Sequence, residues 1–268
     1  MVAYYSEKLI RSSGFADPRF PAGYDAHRPA TPEALLDLLT LTAEVERPTL
    51  VVDLGSGTGL STRAWADRAE EVVGVEASEE MKRLAEEATT VSNVRYVHAY
   101  AHETGLPDVA ADIVTSSQSF HWMEPGPVLA EAARILRPGG VFAAYDYDWP
   151  PVVHWEVEAA FDALLDRVWE LREPLGRSSY EKEGHLARIG DSGHFRYTRE
   201  VVLHGREQGN ADRIVGMAMS LGPLIVLLES GVSEEQLGLA HLREVAERVL
   251  GDREVGMFLC YRARLGIK

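Results

Sequence analysis

The sequence predicts an α/β fold built on a mostly parallel sheet of seven strands. Short apolar runs recur between residues 50 and 146 without the polar alternation of a half-exposed strand, as expected for strands buried on both faces. Segments with helical spacing of apolar residues separate these runs. A glycine-rich turn follows the first run, at the position where open α/β sheets bind their ligands.

Composition excludes several classes of partner. The 268 residues include 27 basic and 42 acidic side chains, a net charge of −15, whereas nucleic acids and anionic membranes bind basic surfaces. One cysteine, Cys260, cannot form an intramolecular disulfide, which is typical of a reducing compartment. The sequence shows no apolar run typical of a membrane span or a signal peptide. We therefore predict a cytoplasmic protein with no nucleic-acid or membrane partner.

The N-terminal segment, residues 1–31, is rich in tyrosine and phenylalanine, which is unusual for an unstructured tail. We expect this segment to pack over another part of the molecule. Thr31 and Pro32 then suit the N-cap and the first position of a helix that runs to about Thr42.

The glycine turn lies within Thr49–Thr62, which reads TLVVDLGSGTGLST. Gly55, Gly57 and Gly59 remove three side chains in five positions, so a ligand can approach the main chain closely. A helix predicted over about Leu60–Ala69 follows, and its free N–H groups point toward the turn. The spacing differs from the G-x-G-x-x-G of dinucleotide binders, and no lysine follows as in a phosphate-binding loop. Asp53, at the end of the strand, suits the ammonium of an amino-acid ligand.

A second buried strand, Glu71–Val75, ends in Glu76, which lies 17 residues beyond Gly59. A carboxylate at this place accepts hydrogen bonds from both hydroxyls of a ribose in nucleotide-binding sheets. The alternative is a solvated loop acid. Ser78 is placed to cap the following helix, predicted over Glu79–Thr89.

The third and fourth strands are predicted over Val94–Ala99 and Ala111–Ser116. Because ligands of open α/β sheets lie outside the carboxyl ends of the strands, Ser117 and Gln118 should face the reacting group. His121 follows in the same turn, and its imidazole titrates near neutral pH, so it is the candidate general base. A role in shaping the pocket wall fits His121 equally well.

Three motifs, taken in order, carry a resemblance to a known family. Asp53–Gly59 (DLGSGTG) fits the pattern (D/E)-x-G-x-G-x-G, and Arg134–Gly140 (RILRPGG) fits R-x-L-(R/K)-P-G-G before the fifth strand. Together they resemble the class I S-adenosylmethionine-dependent methyltransferases. Gln118–Trp122 (QSFHW) resembles the small-molecule subgroup that includes the trans-aconitate methyltransferases. The resemblance covers residues 49–146.

The resemblance implies a Rossmann-like sheet with an antiparallel edge strand, and S-adenosylmethionine as cofactor. The residues expected to bind that cofactor are Tyr24, Arg28, Asp53, Gly55, Gly57, Gly59, Glu76, Ala77, Met81, Ala101, His102, Ser117 and Gln118. Among them, Arg28 would pair with the methionine carboxylate and Met81 would pack on the adenine ring. Tyr100 and His102 stand where the family commonly has acids, so the usual acidic contact to adenine is missing.

Beyond the fifth strand the pattern changes to long helices. We predict a cofactor-binding core with its N-terminal cap over residues 1–148, and a helical lid over residues 149–192 and 209–251. Residues 193–208 and 252–268 would complete the core sheet. A lid inserted after strand five favours a small, enclosed acceptor.

Within that second half, helical spacing of apolar residues predicts helices over Trp155–Arg172, Ala211–Leu228 and Ser233–Leu250. Phe195–His204 and Val255–Arg264 have strand character, and the second of these should close the sheet as an antiparallel edge.

The leading hypothesis is methyl transfer to a small-molecule acceptor by a monomer or homodimer. An alcohol or phenol acceptor would need a base such as His121, whereas a carboxylate or neutral amine would need proximity alone. The alternatives are a non-catalytic S-adenosylmethionine-binding protein and a nicotinamide-dependent oxidoreductase, which the glycine spacing and Asp53 disfavour. Histidine, aspartate and glutamate are too scattered in the sequence to suggest a metal site.

Overall fold

A computed structural model describes residues 24–173 and 179–268. Within those residues the strands are β1 (Leu50–Leu54), β2 (Glu71–Glu76), β3 (Val94–His98), β4 (Ala111–Ser117), β5 (Leu136–Tyr147), β6 (Tyr197–Gly209) and β7 (Val255–Ile267). They form one seven-stranded sheet in the order β3-β2-β1-β4-β5-β7-β6. The predicted α/β fold is confirmed.

The sheet is parallel from β3 to β5 and changes direction at β7. Strand β7 pairs antiparallel with β5 on one side and with β6 on the other. The expected antiparallel pairing at this end of the sheet is present, with β6 outermost and β7 one position in from the edge. Strand order reverses between β1 and β4, because β2 and β3 lie on one side of β1 while β4 and β5 lie on the other. A ligand crevice is expected at such a point.

Helices cover both faces of the sheet. They are α1 (Tyr24–His27), α2 (Glu33–Thr42), α3 (Leu60–Arg63), α4 (Glu79–Ala88), α5 (Pro125–Ile135), α6 (Trp155–Arg172), α7 (His185–Asp191), α8 (Ala211–Met219), α9 (Gly222–Glu229), α10 (Glu234–Leu237) and α11 (Leu239–Val249). Successive strand residues point to opposite faces, so Val51 belongs to one apolar core and Val52 to the other.

The helical lid, defined here as α6 and α8 to α11, packs together as one layer. Helix α11 contacts both α6 and α8, and α9 contacts α6. Helix α7, which falls within the predicted lid segment, packs instead against β6 and β7 through the buried Ile189. The N-terminal helix α1 lies against α8, so the described part of the N-terminal segment does pack over the molecule.

Two long helices predicted in the second half are broken. The segment predicted over Ala211–Leu228 ends at Met219 and restarts at Gly222, because Pro223 is tolerated only in the first turn of a helix. The segment predicted over Ser233–Leu250 is interrupted by Gly238, whose φ of +81° ends α10 in the left-handed region.

The start of the chain also differs in detail from the prediction. Pro32, and not Thr31, occupies the N-cap of α2, and the Thr31 hydroxyl lies 3.2 Å from the Tyr145 hydroxyl. Helix α3 ends at Arg63, after which tighter turns continue the chain. The prediction for α6, Trp155–Arg172, is confirmed residue for residue.

No single helix among the described residues has the length and apolar composition of a membrane span. Helices α8 and α9 reach those criteria only as a pair bent by 73°.

Candidate active site

The glycine turn after β1 folds back onto the end of β2. Gly55, Gly57 and Gly59 all have positive φ, between +56° and +82°. The Gly55 amide donates to the Val75 carbonyl at 2.8 Å, and the Gly57 amide donates to Glu76 Oε2 at 2.8 Å. The turn therefore needs glycine for its backbone conformation, because L side chains rarely adopt this region.

The three glycines differ in what surrounds them. A Cβ at Gly55 would lie 2.6 Å from Met123 Cε, and one at Gly59 would lie 2.1 Å from the Tyr96 hydroxyl. A Cβ at Gly57 would meet only Met81 Cε, at 3.7 Å. Gly59 is thus required for packing at the start of α3 and does not line the cavity, so its predicted contact with the cofactor is not supported.

A cavity of about 170 Å3 opens at this turn, above the carboxyl ends of β1, β2 and β4. The predicted cofactor-binding residues that line it are Arg28, Gly55, Gly57, Glu76, Ala77, Met81, Ala101, His102, Ser117 and Gln118. Further lining residues, which no motif predicted as cofactor contacts, include Ser56, Ser78, Trp122, Met123 and Val128. The side chain of Tyr24 lies outside the described part of the structure.

Glu76 is held in one orientation by the backbone around it. Its Oε2 accepts the Gly57 amide and its Oε1 accepts the Ser78 amide, each at 2.8 Å. Burial raises the pKa of Glu76, and these amides oppose the rise. An ionised carboxylate has about four acceptor sites, so each oxygen retains one for a ligand hydroxyl.

Asp53 does not line the cavity. Its side chain is fully buried, and its carboxylate accepts hydrogen bonds from Ser61 at 2.6 Å, Thr62 at 2.7 Å and Thr115 at 2.9 Å. Its predicted contact with a ligand ammonium stays a prediction. Burial raises the pKa of Asp53, and the three hydroxyls oppose the rise.

The far end of the cavity is apolar and aromatic. Met81 follows the Ser78 cap of α4, where the Ser78 hydroxyl accepts the Met81 amide at 3.4 Å. Tyr100 and His102 stack with ring centroids 5.4 Å apart and lie on either side of Ala101. These side chains offer a flat apolar surface where the family commonly has acids, and their adenine contacts stay a prediction.

A second cavity, of about 640 Å3, lies between the strand ends and the helical lid. Its aromatic lining is Trp122, Trp149, Trp169 and Tyr180. Arg28, Gln118 and Trp122 line both cavities, so the two spaces meet at these three residues. We call this meeting point the junction.

Gln118 stands at the junction in a strained conformation. Its φ of +50° is unusual for a residue other than glycine, and its amide donates to the Tyr145 carbonyl at 2.9 Å. Lys182 donates from Nζ to Gln118 Oε1 at 2.8 Å. Strained residues held by their surroundings are concentrated at functional sites. The sequence gives no signal for Lys182, which reaches the junction from a 3₁₀ turn.

Arg28 is buried beside the junction. Its Nη2 donates to the Ser220 carbonyl at 2.6 Å, and its Nη1 donates to the Tyr147 hydroxyl. The guanidinium also lies 5.6 Å from the Trp149 ring centroid. These contacts attach the described N-terminal segment to β5 and to the lid. The predicted pairing of Arg28 with a methionine carboxylate stays a prediction.

His121 lines the second cavity and is 9% exposed. Burial, followed by the charge of Lys182, lowers the pKa of His121 to about 3, and the nearby Asp146 only partly offsets this. The distance from His121 Nδ1 to Asp146 Oδ1 is 3.7 Å, too long for a hydrogen bond. The imidazole is therefore neutral and weakly basic, which is unfavourable for a general base at neutral pH.

The fold also brings together three possible metal ligands that are far apart in the sequence. One donor atom each from His121, Asp146 and His185 lies within 4.8 Å of the other two. Two contacts oppose a metal ion there. Lys182 Nζ lies 3.0 Å from Asp146 Oδ1, and Arg188 lies 3.0 Å from His185 Nδ1. Because arginine only donates, it fixes the proton of a neutral His185 on Nε2, the atom that would have to bind the metal.

Comparison with known proteins agrees with this geometry. Residues 52–144 match the family described as "Methyltransferase domain". The chain carries a class I S-adenosylmethionine-dependent methyltransferase domain. The matched residues include the glycine turn, Glu76 and the junction residues Gln118 and Trp122. The narrower resemblance to the trans-aconitate methyltransferases stays an expectation.

Curated relatives of this methyltransferase domain cover part of the chain. An uncharacterized methyltransferase of Mycobacterium bovis is 36% identical over 154 residues, which are 58% of this chain and 56% of that protein. The uncharacterized methyltransferase YcgJ of Bacillus subtilis is 29% identical over 156 residues, or 57% of this chain and 58% of that protein. The chain thus matches little more than half the length of these relatives.

Among solved structures, a putative type II methyltransferase from Anaeromyxobacter dehalogenans resembles the chain over most of its length. The TM-score is 0.65 and the identity is 26%, over 90% of this chain and 97% of the other. The structural similarity therefore extends beyond residues 52–144 into the second half of the chain.

We expect Asp53→Ala to destabilise the protein by about 1–3 kcal/mol, since the hydroxyls of Ser61, Thr62 and Thr115 lose their shared acceptor. The pKa of Asp53 is raised in the folded chain, so its stabilising contribution decreases as the pH rises. Urea unfolding should therefore show a larger loss at pH 4 than at pH 8. Substitution of the exposed Asp67 by alanine is the control, and a loss that grows with pH would contradict the assignment.

Lowering the pH should unfold the protein partly through His121. The unfolded chain binds a proton near the ordinary histidine pKa, whereas the folded chain holds the pKa of His121 at about 3. Between pH 7.5 and pH 4.5, His121→Gln should therefore lose about 2–3 kcal/mol less stability than the wild type. Urea unfolding at both pH values measures this difference, and equal losses would show that His121 titrates normally.

Proposed function

We propose that the protein transfers a methyl group from S-adenosylmethionine to a small-molecule acceptor. The observation that carries the proposal is the junction, where a cavity built on the glycine turn meets a larger cavity beneath the helical lid. Among the described residues, those lining the passage from one space to the other are Arg28, Gln118 and Trp122.

The first cavity fits an adenosyl amino acid. Gly57 leaves room above the turn, and the Glu76 carboxylate retains acceptor sites toward the same space. Met81, Ala101 and the stacked pair Tyr100 and His102 supply an apolar surface for a purine. When bound, S-adenosylmethionine supplies an electrophilic methyl group and needs little chemistry from the protein.

The protein's own residues would then act by orientation and by exclusion of water. Direct displacement needs the acceptor atom in line at about 3–3.5 Å from the methyl carbon. Gln118 and Trp122 are fixed at the junction by the end of β4 and the 3₁₀ turn Phe120–Trp122. Helix α6 and the start of α9 line the second cavity from the lid side, which favours a small acceptor over a macromolecule.

In this proposal His121 contributes to the wall of the acceptor cavity and does not act as the general base. Its side chain lines the acceptor cavity, as predicted, but a pKa of about 3 makes it a poor base. We infer that the acceptor reacts in a form that needs no deprotonation by His121, such as a carboxylate or a neutral amine.

The proposal is tested by titrating the protein with S-adenosylhomocysteine in a calorimeter. We expect binding in the wild type, and a loss of about 1.5–3 kcal/mol in Glu76→Ala, because hydrogen bonds to a charged group are worth that much. Glu79→Ala is the matched control, since Glu79 is exposed in the first turn of the next helix.

Two results would decide against the assignment. If the wild type gives neither heat nor a thermal shift with S-adenosylhomocysteine, the cofactor site is wrong. If Glu76→Ala binds as tightly as Glu79→Ala, the carboxylate has no ribose contact and serves only to close the glycine turn.

A further inference from the structure

Lys182 places a positive charge at the junction. Its Nζ lies 2.8 Å from Gln118 Oε1 and 3.0 Å from Asp146 Oδ1, and its side chain is 29% exposed and lines the second cavity. Gln118 Oε1 accepts a hydrogen bond from this ammonium, whereas Asp146 Oδ1 is its ion-pair partner without hydrogen-bond geometry. An ammonium has three N–H donors, so at least one is left for a group inside the cavity.

The charges around Lys182 balance, but the cation is the group that faces the cavity. The buried Asp146 carboxylate is shared between Lys182 on Oδ1 and Arg264 on Oδ2, at 3.0 and 3.2 Å. Arg264 also binds Glu200, which lies on the outer strand β6 and is one-third exposed to solvent. Of these two cations and two carboxylates, Lys182 is the group that lines the second cavity.

The acids of this cavity lie at its rim. Glu170, Glu173, Glu181 and Glu183 are all exposed, whereas Lys182 and the junction lie deeper. Charge at the rim is screened by water, while charge in the interior acts through a lower dielectric constant. Burial is the largest cause of the lowered pKa values of His121 and His185, and the charge of Lys182 lowers both further.

Apolar surface surrounds this charge. Trp122 and Trp149 flank the cavity near the junction, and Leu165, Val168 and Leu221 continue the wall. A ligand that fills this space needs an apolar or aromatic body, since burying an unpaired polar body here would cost free energy.

We propose that Lys182 is a specificity-determining residue that binds a carboxylate on the methyl acceptor, and that the acceptor carries this carboxylate on an aromatic or apolar body. The inference rests on the proposed function, because it concerns the acceptor cavity of the same site. Gln118 and Asp146 are positioning residues, which hold the ammonium so that its remaining donor faces the cavity.

The test uses a matched pair of probes on the full chain saturated with S-adenosylhomocysteine. The probes are 3-phenylpropionate and its neutral amide, 3-phenylpropanamide, and their binding is measured by calorimetry. We expect the acid to bind the wild type about tenfold more tightly than the amide, because a hydrogen bond to a charged group contributes a free energy of that size. Lys182→Met should bring this ratio to about one, and Lys182→Arg should keep most of it.

Lys82→Met is the control, since Lys82 forms a surface pair with Glu86 on α4 and does not line the second cavity. It should preserve the preference for the acid. The proposal is overturned if acid and amide bind the wild type equally, if neither binds, or if Lys182→Met keeps the preference. A protein that fails to bind S-adenosylhomocysteine would instead remove the proposed function, which the first titration shows separately.

Discussion

The buried carboxylate of Asp53 holds together the parts on which the site depends. Two of its hydroxyl partners lie in the first turn of α3 and the third lies on β4, so one side chain fixes the start of the helix and the neighbouring strand relative to β1. The glycine turn between them is free to adopt left-handed conformations, and it needs fixed ends to keep one shape. Glu76 then secures the middle of the turn through the Gly57 amide.

This arrangement explains which parts of the site the sequence predicts. Strands β1 to β5 and the residues at their carboxyl ends follow from apolar runs and glycine spacing, which are local signals. The orientation of a side chain at a strand end is not local. Asp53 and Glu76 lie near the ends of neighbouring strands, yet one faces inward to three hydroxyls and the other lines the cavity. The three hydroxyls belong to Ser61, Thr62 and Thr115, and no pattern within the motif indicates which acid they will bind.

In the second half of the chain, more of the structure depends on contacts between distant residues, which local patterns do not predict. Helical spacing predicts α6 in full, but the breaks at Pro223 and Gly238 depend on whether each residue is accommodated inside or at the end of a helix. Lys182 contacts Gln118, 64 positions earlier in the chain, and Asp146 forms ion pairs with both Lys182 and Arg264. Contacts of this kind arise only in the folded chain, so the sequence predicted Arg28 at the site but not Lys182, and it left the acceptor unidentified.

The electrostatics of the acceptor cavity bear on how an acceptor would be activated. A buried His121 beside the Lys182 ammonium is poorly suited to accept a proton, since burial and this charge both disfavour an imidazolium. The same charge stabilises a group that is already anionic when it enters. A site with this composition would select ionised acceptors and would not have to generate them. Desolvation of that anion is offset by Lys182, while the apolar walls supply the free energy of binding.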